Sequence, residues 1–398
     1  MNGSGGSDRS GFQGSAPSEV QWIFFATKAP KPSSLRRALP MRLAGQDPVV
    51  VVNTPFSVLK HRRLPAFSSR VQRLESFPAA WLYTPLYFPE RLPVAGAFAG
   101  ALNRHLLLRE LNALLGPVRG RRNVLFDMPV QCSLLNRLQA TQQAYLAIDD
   151  HTVTLEGDVI PGELELERRL LAGVDHVVCV SETLAGRLLM RMRQSVPIAV
   201  LGNGYDEYLF DPDRDWPEPE ELAAIPRPRI LVAGHLSGRL DWEGIRAASC
   251  LLPEWQWVFL GGLSPDLDGE VKAWLQPGSG MPWHVLAPVA LQRVPAFMRH
   301  CQAGGVPYRL NAFTMASDPL KGVEYLAMGL PVLATRVPSL RRFEGHIAWV
   351  GEGSGEDYVR VLATMRGEGM RLAQGRREVV KEESWSAKAW RLRSLMGC

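Results

Sequence analysis

The chain has 398 residues, more than one hydrophobic core ordinarily supports, so two α/β domains of ordinary size are expected. Its 46% hydrophobic and 21% charged residues are globular proportions, and its 36 glycines and 30 prolines follow no period, which excludes collagen, solenoid and coiled-coil classes. A net charge of +5 is mild for a nucleic-acid binder and suits anionic phosphates or an anionic membrane surface.

Residues 1–19 are Gly/Ser-rich and lack the basic start and apolar core of a signal peptide, so they read as a disordered tail. From Val20 onward, short β-rich runs alternate with amphipathic segments, the rhythm of βαβ units and a parallel sheet. The expected strands are 21–26, 48–53, 80–83, 123–126, 144–148, 176–180 and 197–201. Between the second and third, Lys60, Arg62, Arg63, Arg70 and Arg73 alternate with Phe56, Leu59, Leu64 and Phe67. With the apolar run 92–102 these suggest a peripheral membrane patch, although solvated basic residues over an ordinary core explain the pattern equally well. That run is about half the ~20 residues needed to cross a bilayer, so a cytosolic chain with no membrane span is expected. Cys132, Cys179, Cys250, Cys301 and Cys398 have no zinc-ligand spacing and read as reduced thiols.

Segment 211–228 is acidic and proline-rich and reads as a linker between an N-terminal domain, 20–210, and a second domain, 229–377. Strands are expected at 229–233, 255–260, 284–286, 303–306 and 331–335. Two such halves imply an interdomain cleft beyond the carboxyl ends of their strands. Residues 378–396 carry apolar residues at helical spacing and read as one closing amphipathic helix.

Segment 317–335, SDPLKGVEYLAMGLPVLAT, is the most informative. Asp318 suits a helix N-cap, Pro319 the first helical position and Gly329 a left-handed C-terminal stop, so a helix of roughly three turns is expected. Lys321 and Glu324, three residues apart, share a face. A lysine in the first turn opposes the helix dipole and favours an anionic partner such as pyrophosphate, with Glu324 accepting hydrogen bonds from sugar hydroxyls. A simple surface Lys–Glu pair is the competing reading.

The stretch KGVEYLAMGLPVLAT resembles the donor-site segment of GT-B glycosyltransferases. Further matches to that family occur in the same order: Asp149-Asp150, Val180-Ser181, Gly202-Asn203-Gly204-Tyr205-Asp206, the 234–243 loop, Gly261-Gly262, Tyr308 and Ser384-Trp385. The resemblance implies two Rossmann-like domains across a cleft, donor binding by the second, and a C-terminal helix, within 378–398, returning to the first. It is nearest to bacterial cell-envelope and exopolysaccharide enzymes, similar to teichuronic-acid transferases and the xanthan glucuronosyltransferase. One position departs: retaining members carry a glutamate eight residues before the equivalent of Glu324, and here that place is Ala316.

The donor contacts so implied are Lys321, Glu324, Tyr325, Arg239, Ser237, His235 and Gly234. Gly234 and Gly238 let backbone approach phosphate and Arg239 supplies a fork of donors, unless it pairs with Asp241 or Glu243. Asp149 and Asp150 end a strand facing the cleft, where paired carboxylates raise each other's pKa toward a general base's range, with His151 as a further candidate; turn formation is the alternative. Segment 202–206 reads as a tight turn. The expected activity moves a hexosyl or uronosyl unit from a UDP- or GDP-linked donor to a lipid-linked or glycan acceptor at the inner membrane face. No cofactor or catalytic metal is expected, because no acidic D-x-D site stands out in the right place. A nucleotide-sugar epimerase, or a non-catalytic nucleotide-sugar-binding protein, remains the alternative. Nucleic acid is not an expected partner.

Overall fold

A computed structural model describes residues 20–26, 35–61, 64–74, 80–88, 95–118, 120–154, 157–365 and 370–398. The strands of the first half are β1 (Val20–Phe25), β2 (Val49–Val52), β3 (Phe56–Ser57), β4 (Val71–Arg73), β5 (Ala80–Tyr83), β6 (Leu86–Tyr87), β7 (Arg121–Phe126), β8 (Gln142–Ala147), β9 (His176–Cys179) and β10 (Ile198–Val200). Eight of them form one sheet in the order β10-β9-β8-β7-β1-β2-β5-β4. Its ladders are parallel except at the edge, where β4 runs antiparallel to β5. Runs such as VVVV at β2 are buried throughout, as a parallel sheet covered on both faces requires.

The second half contributes β11 (Arg229–Ala233), β12 (Gln256–Leu260), β13 (Trp283–Leu286), β14 (Ala303–Val306), β15 (Val332–Thr335) and β16 (Ile347–Val350). They form a parallel sheet in the order β13-β12-β11-β14-β15-β16. This is the Rossmann order, with its switch point between β11 and β14. Every strand expected from sequence is present. The short β3–β6 pair, the antiparallel edge β4 and the last strand β16 were not expected, since two- to four-residue strands with mixed burial carry too little periodicity.

Several expectations change. From Ala95 the apolar run 92–102 forms the start of a 21-residue helix, Ala95–Leu115, and residues 92–94 lie outside the described residues. Among the described residues no helix is long and apolar enough to cross a membrane. Segment 211–228 carries no strand and packs on the second half: Trp216, Leu222 and Ile225 join its core and the Trp216 carbonyl accepts from His300 Nε2 at 2.7 Å. The closing helix is broken into Met370–Val379 and Trp385–Leu395. Between them the backbone of Glu383 and Trp385 pairs with Tyr205, and Ser384 caps the second helix. Trp385, Ala389 and Leu392 of that helix, and Met396 just past its end, are buried in the first half's core.

Candidate active site

At the switch point β11 and β14 pair at Ile230–Ala303 and Leu231–Gly304, then part. Tyr325, fully buried, fills the gap: its hydroxyl accepts from Ala233 N at 2.9 Å and donates to the Leu231 carbonyl at 3.0 Å. Its ring lies on Gly304, where a Cβ would approach to 2.4 Å. Tyr325 therefore anchors helix Leu320–Ala327 to the end of β11 and makes no donor contact, which corrects its expected role.

Beyond β11 the chain turns at Gly234 (φ +137°), and beyond β12 at Gly261 (φ +154°). A Cβ at Gly261 would stand 1.7 Å from the Gly234 carbonyl oxygen, so the two loops touch backbone to backbone. Two adjoining cavities open here. One of about 520 Å³ is walled by Gly262, Pro288 and Leu291; the other, about 230 Å³, by Arg239, Gly305 and Tyr308. Gly234, His235 and Lys321 line both.

Lys321 reaches this space from the first turn of its helix and is bonded through Nζ to Glu324. Glu324 is 1% exposed, so the pair is not the exposed surface pair that sequence alone allows. Burial raises the Glu324 pKa, and Lys321 opposes that shift. Glu324 thus holds Lys321, rather than presenting a free carboxylate to a ligand. Asp318 does not cap the helix. Its buried carboxylate takes Arg342 at 2.8 Å and 3.0 Å and Asn203 N at 2.5 Å. The helix spans eight residues, shorter than expected.

Arg239 has no carboxylate partner among the described residues; Asp241 instead caps helix Trp242–Leu251 and accepts from Tyr358, and Glu243 pairs with Arg246. Ser237 is 5% exposed and its hydroxyl accepts from Arg239 N at 3.4 Å, so it shapes the loop beneath the arginine. Gly234 and His235 are exposed.

On the opposite side Asp149 and Asp150 follow β8 and separate in role. Asp150 is 2% exposed and takes Arg187 (3.0 Å), Arg191 (2.8 Å) and the Thr152 hydroxyl (2.7 Å). These partners overcome burial and drive its pKa far below the usual carboxylate range, so Asp150 is a buried ion-pair centre and not a general base. Asp149 is half-buried; burial raises the pKa of Tyr308, Arg239 opposes that shift and Asp149 adds to it. His151 bonds to the backbone of Asp127, while its buried Nε2 has no hydrogen-bond partner among the described residues. Burial lowers the His151 pKa, Asp149 opposing, which keeps the ring neutral with a lone pair at neutral pH.

Ala316 is 1% exposed, packed with the first half's core, and its carbonyl accepts from Ser181 Oγ at 2.6 Å. A carboxylate there would be buried between the halves. The 202–206 turn is likewise a junction: Asn203 Nδ2 donates to the Asp318 carbonyl at 2.6 Å. Sequence reasoning missed this Asn203–Asp318–Arg342 cluster, because its members are far apart in the chain. It also missed the Pro288 and Leu291 walls, which sit on a loop without motif. Among the described residues no group of three or more His, Cys, Asp or Glu side chains converges as a metal site.

No protein-family model matches the chain. A Bacillus subtilis protein named putative teichuronic acid biosynthesis glycosyltransferase TuaH is 25% identical over 181 residues, 45% of this chain and 44% of that protein, so the match spans less than half the relative's length. Among solved structures, sucrose-phosphate synthase from Thermosynechococcus elongatus superposes with a TM-score of 0.70 at 15% identity, covering 95% of this chain and 98% of that one. Anabaena HepE in complex with UDP and glucose gives 0.67 at 13% identity (95% and 99% covered). An α,α-trehalose-phosphate synthase (UDP-forming) from Burkholderia vietnamiensis gives 0.68 at 13% (94% and 96%). With two parallel Rossmann-like sheets and these full-length superpositions, the chain has the GT-B glycosyltransferase fold.

Proposed function

We propose that the chain is a glycosyltransferase that moves a hexosyl or uronosyl unit from a UDP- or GDP-linked sugar to a lipid-linked or glycan acceptor in envelope or exopolysaccharide synthesis. The observation that carries this reading is the pair of cavities at the β11–β14 switch point, where Gly234 exposes backbone and Lys321 and Arg239 bring two cations. A diphosphate seated there meets a lysine in a helix's first turn and an arginine without a carboxylate partner among the described residues. The larger cavity, with its proline and leucine walls, suits the base and ribose. HepE, of the same fold, is in complex with UDP and glucose, and TuaH is named for teichuronic acid biosynthesis.

In this reading the leaving diphosphate gathers negative charge as the glycosidic bond breaks, and Lys321 and Arg239 stabilise it electrostatically. His151 Nε2, neutral and unpartnered, receives the acceptor hydroxyl's proton, with Asp149 beside it to stabilise the imidazolium formed. Peripheral contact with the inner membrane face is part of the proposal. Phe98 (74% exposed) and Leu64 (66%) support it, with Lys60 and Arg73 also exposed. Arg70, in contrast, is buried against Glu110 and leaves that patch; Arg62 and Arg63 lie outside the described residues.

Incubation with a panel of nucleotide sugars and a membrane extract, followed by analysis of the product and its anomeric configuration, tests the reading. A glycosylated acceptor supports it. Recovery of an epimerised donor alone, or of no product, overturns it.

A further inference from the structure

A separate cavity, of about 380 Å³, lies at the junction of the two halves and shares no lining residue with the switch-point cavities. Its walls come from three separate segments. Ser181 to Thr183 belong to the first half, Ser339, Arg341 and Arg342 to the second, and Lys388 and Arg391 to the returning helix.

The charges in this cavity are unevenly matched. Arg342 is taken by Asp318 and Glu383, and Lys388 by Glu383. Arg341 and Arg391 are exposed and have no carboxylate partner among the described residues. Glu182 also lines the cavity but is exposed at the first turn of helix Glu182–Arg191. That ten-residue helix opens here. Ser181 takes Leu184 N, which leaves the N–H groups of Glu182 and Thr183 at the helix's positive end. A further group points the same way: Ser339 Oγ is buried and has no hydrogen-bond partner among the described residues, although it lines the cavity.

Two unmatched guanidinium forks, an orphaned hydroxyl and a helix N-terminus together provide what a phosphate dianion requires. From this convergence we infer that the junction cavity is a second anion site, separate from the donor site, that binds a phosphate-bearing ligand. Because its donors come from both halves and the returning helix, the bound anion ties the halves together.

The test titrates the full chain calorimetrically with inorganic phosphate. A Lys321→Met/Glu324→Gln/Arg239→Ala background removes both donor-site cations, so that residual binding reports the junction. The expected result is saturable binding in that background, weakened at least tenfold when Arg341→Glu/Arg391→Glu is added, and weakened less by Arg341→Gln/Arg391→Gln. Both arginines are exposed, and an unchanged thermal midpoint without phosphate checks that the variants fold. Absence of saturable binding in the background, or binding unaffected by the charge reversal, overturns the site. Co-sedimentation with phosphatidylglycerol vesicles, lost on charge reversal, assigns the phosphate to a lipid headgroup. Phosphate binding without co-sedimentation assigns it to a soluble phosphate ester; both outcomes support the site.

Discussion

Replacing Lys321 by methionine separates two roles that one side chain holds. In the native chain Lys321 Nζ is bonded to Glu324, which is 1% exposed, while Lys321 itself keeps 19% exposure. Removing one partner of a fully buried pair costs roughly 3–5 kcal/mol; the partial exposure of Lys321 lowers this to about 2 kcal/mol. For a domain of this size that is a fall of roughly 4–8 °C in Tm. The loss depends on pH. Burial already raises the Glu324 pKa above its ordinary 4.5, and without Lys321 it rises further. A carboxyl with a raised folded pKa contributes stability below its unfolded value and loses it as pH rises through the folded one. The deficit of Lys321→Met is therefore small near about pH 5 and full near about pH 8. Adding Glu324→Gln removes the stranded charge and restores most of the stability, but not nucleotide-sugar binding. Chemical denaturation of both variants at the two pH values, with calorimetric binding of UDP, is the assay. A single-variant deficit independent of pH, or a double variant that regains UDP binding, refutes the reasoning.

Other variants follow from the same geometry. Tyr325→Phe strands Ala233 N and the Leu231 carbonyl in the interior and should cost about 2 kcal/mol by denaturant melts, without a change in acceptor KM. Asp150→Asn leaves Arg187 and Arg191 with one charge fewer and should lower stability by about 3 kcal/mol, a loss largest above the carboxylate range, because a depressed folded pKa contributes nothing once pH falls through it. Its kcat in the surviving folded protein should stay within about threefold of native; a much larger drop would return Asp150 to the chemistry. His151→Ala should reduce kcat by about 100-fold or more. In the native chain the acid limb of kcat should lie below the ordinary histidine pKa of 6.5, as burial dictates; an acid limb above it argues against this base.

The longer strands of both sheets were legible, because parallel strands buried on two faces are continuous apolar runs, such as VVVV at β2 and the VVC of β9. Lys321 was legible for a local reason, a lysine in a helix's first turn being electrostatically out of place. The roles of its neighbours were not. Glu324 and Tyr325 lie within about one helical turn of Lys321, but whether a side chain faces a cleft or plugs a gap between strands depends on β11 and β14, which start about 90 and 20 residues upstream. The Asp149–Asp150 pair shows the same limit. Neighbouring carboxylates alone imply raised pKa values, and Arg187 and Arg191, on a later helix, reverse that for Asp150. Ala316 was visible as a departure, but its burial against the first half's core depends on contacts between distant segments and was not legible.

The switch-point cavity as a nucleoside-diphosphate-sugar site is tested most directly by calorimetric titration of the native chain with UDP and GDP, alongside Arg239→Ala. The native chain should bind one of the two nucleotides saturably at one site, and Arg239→Ala should weaken that binding by about 10- to 100-fold, as expected for losing a charged partner of a phosphate. Absence of saturable binding of either nucleotide, or equal binding by the variant, contradicts the assignment.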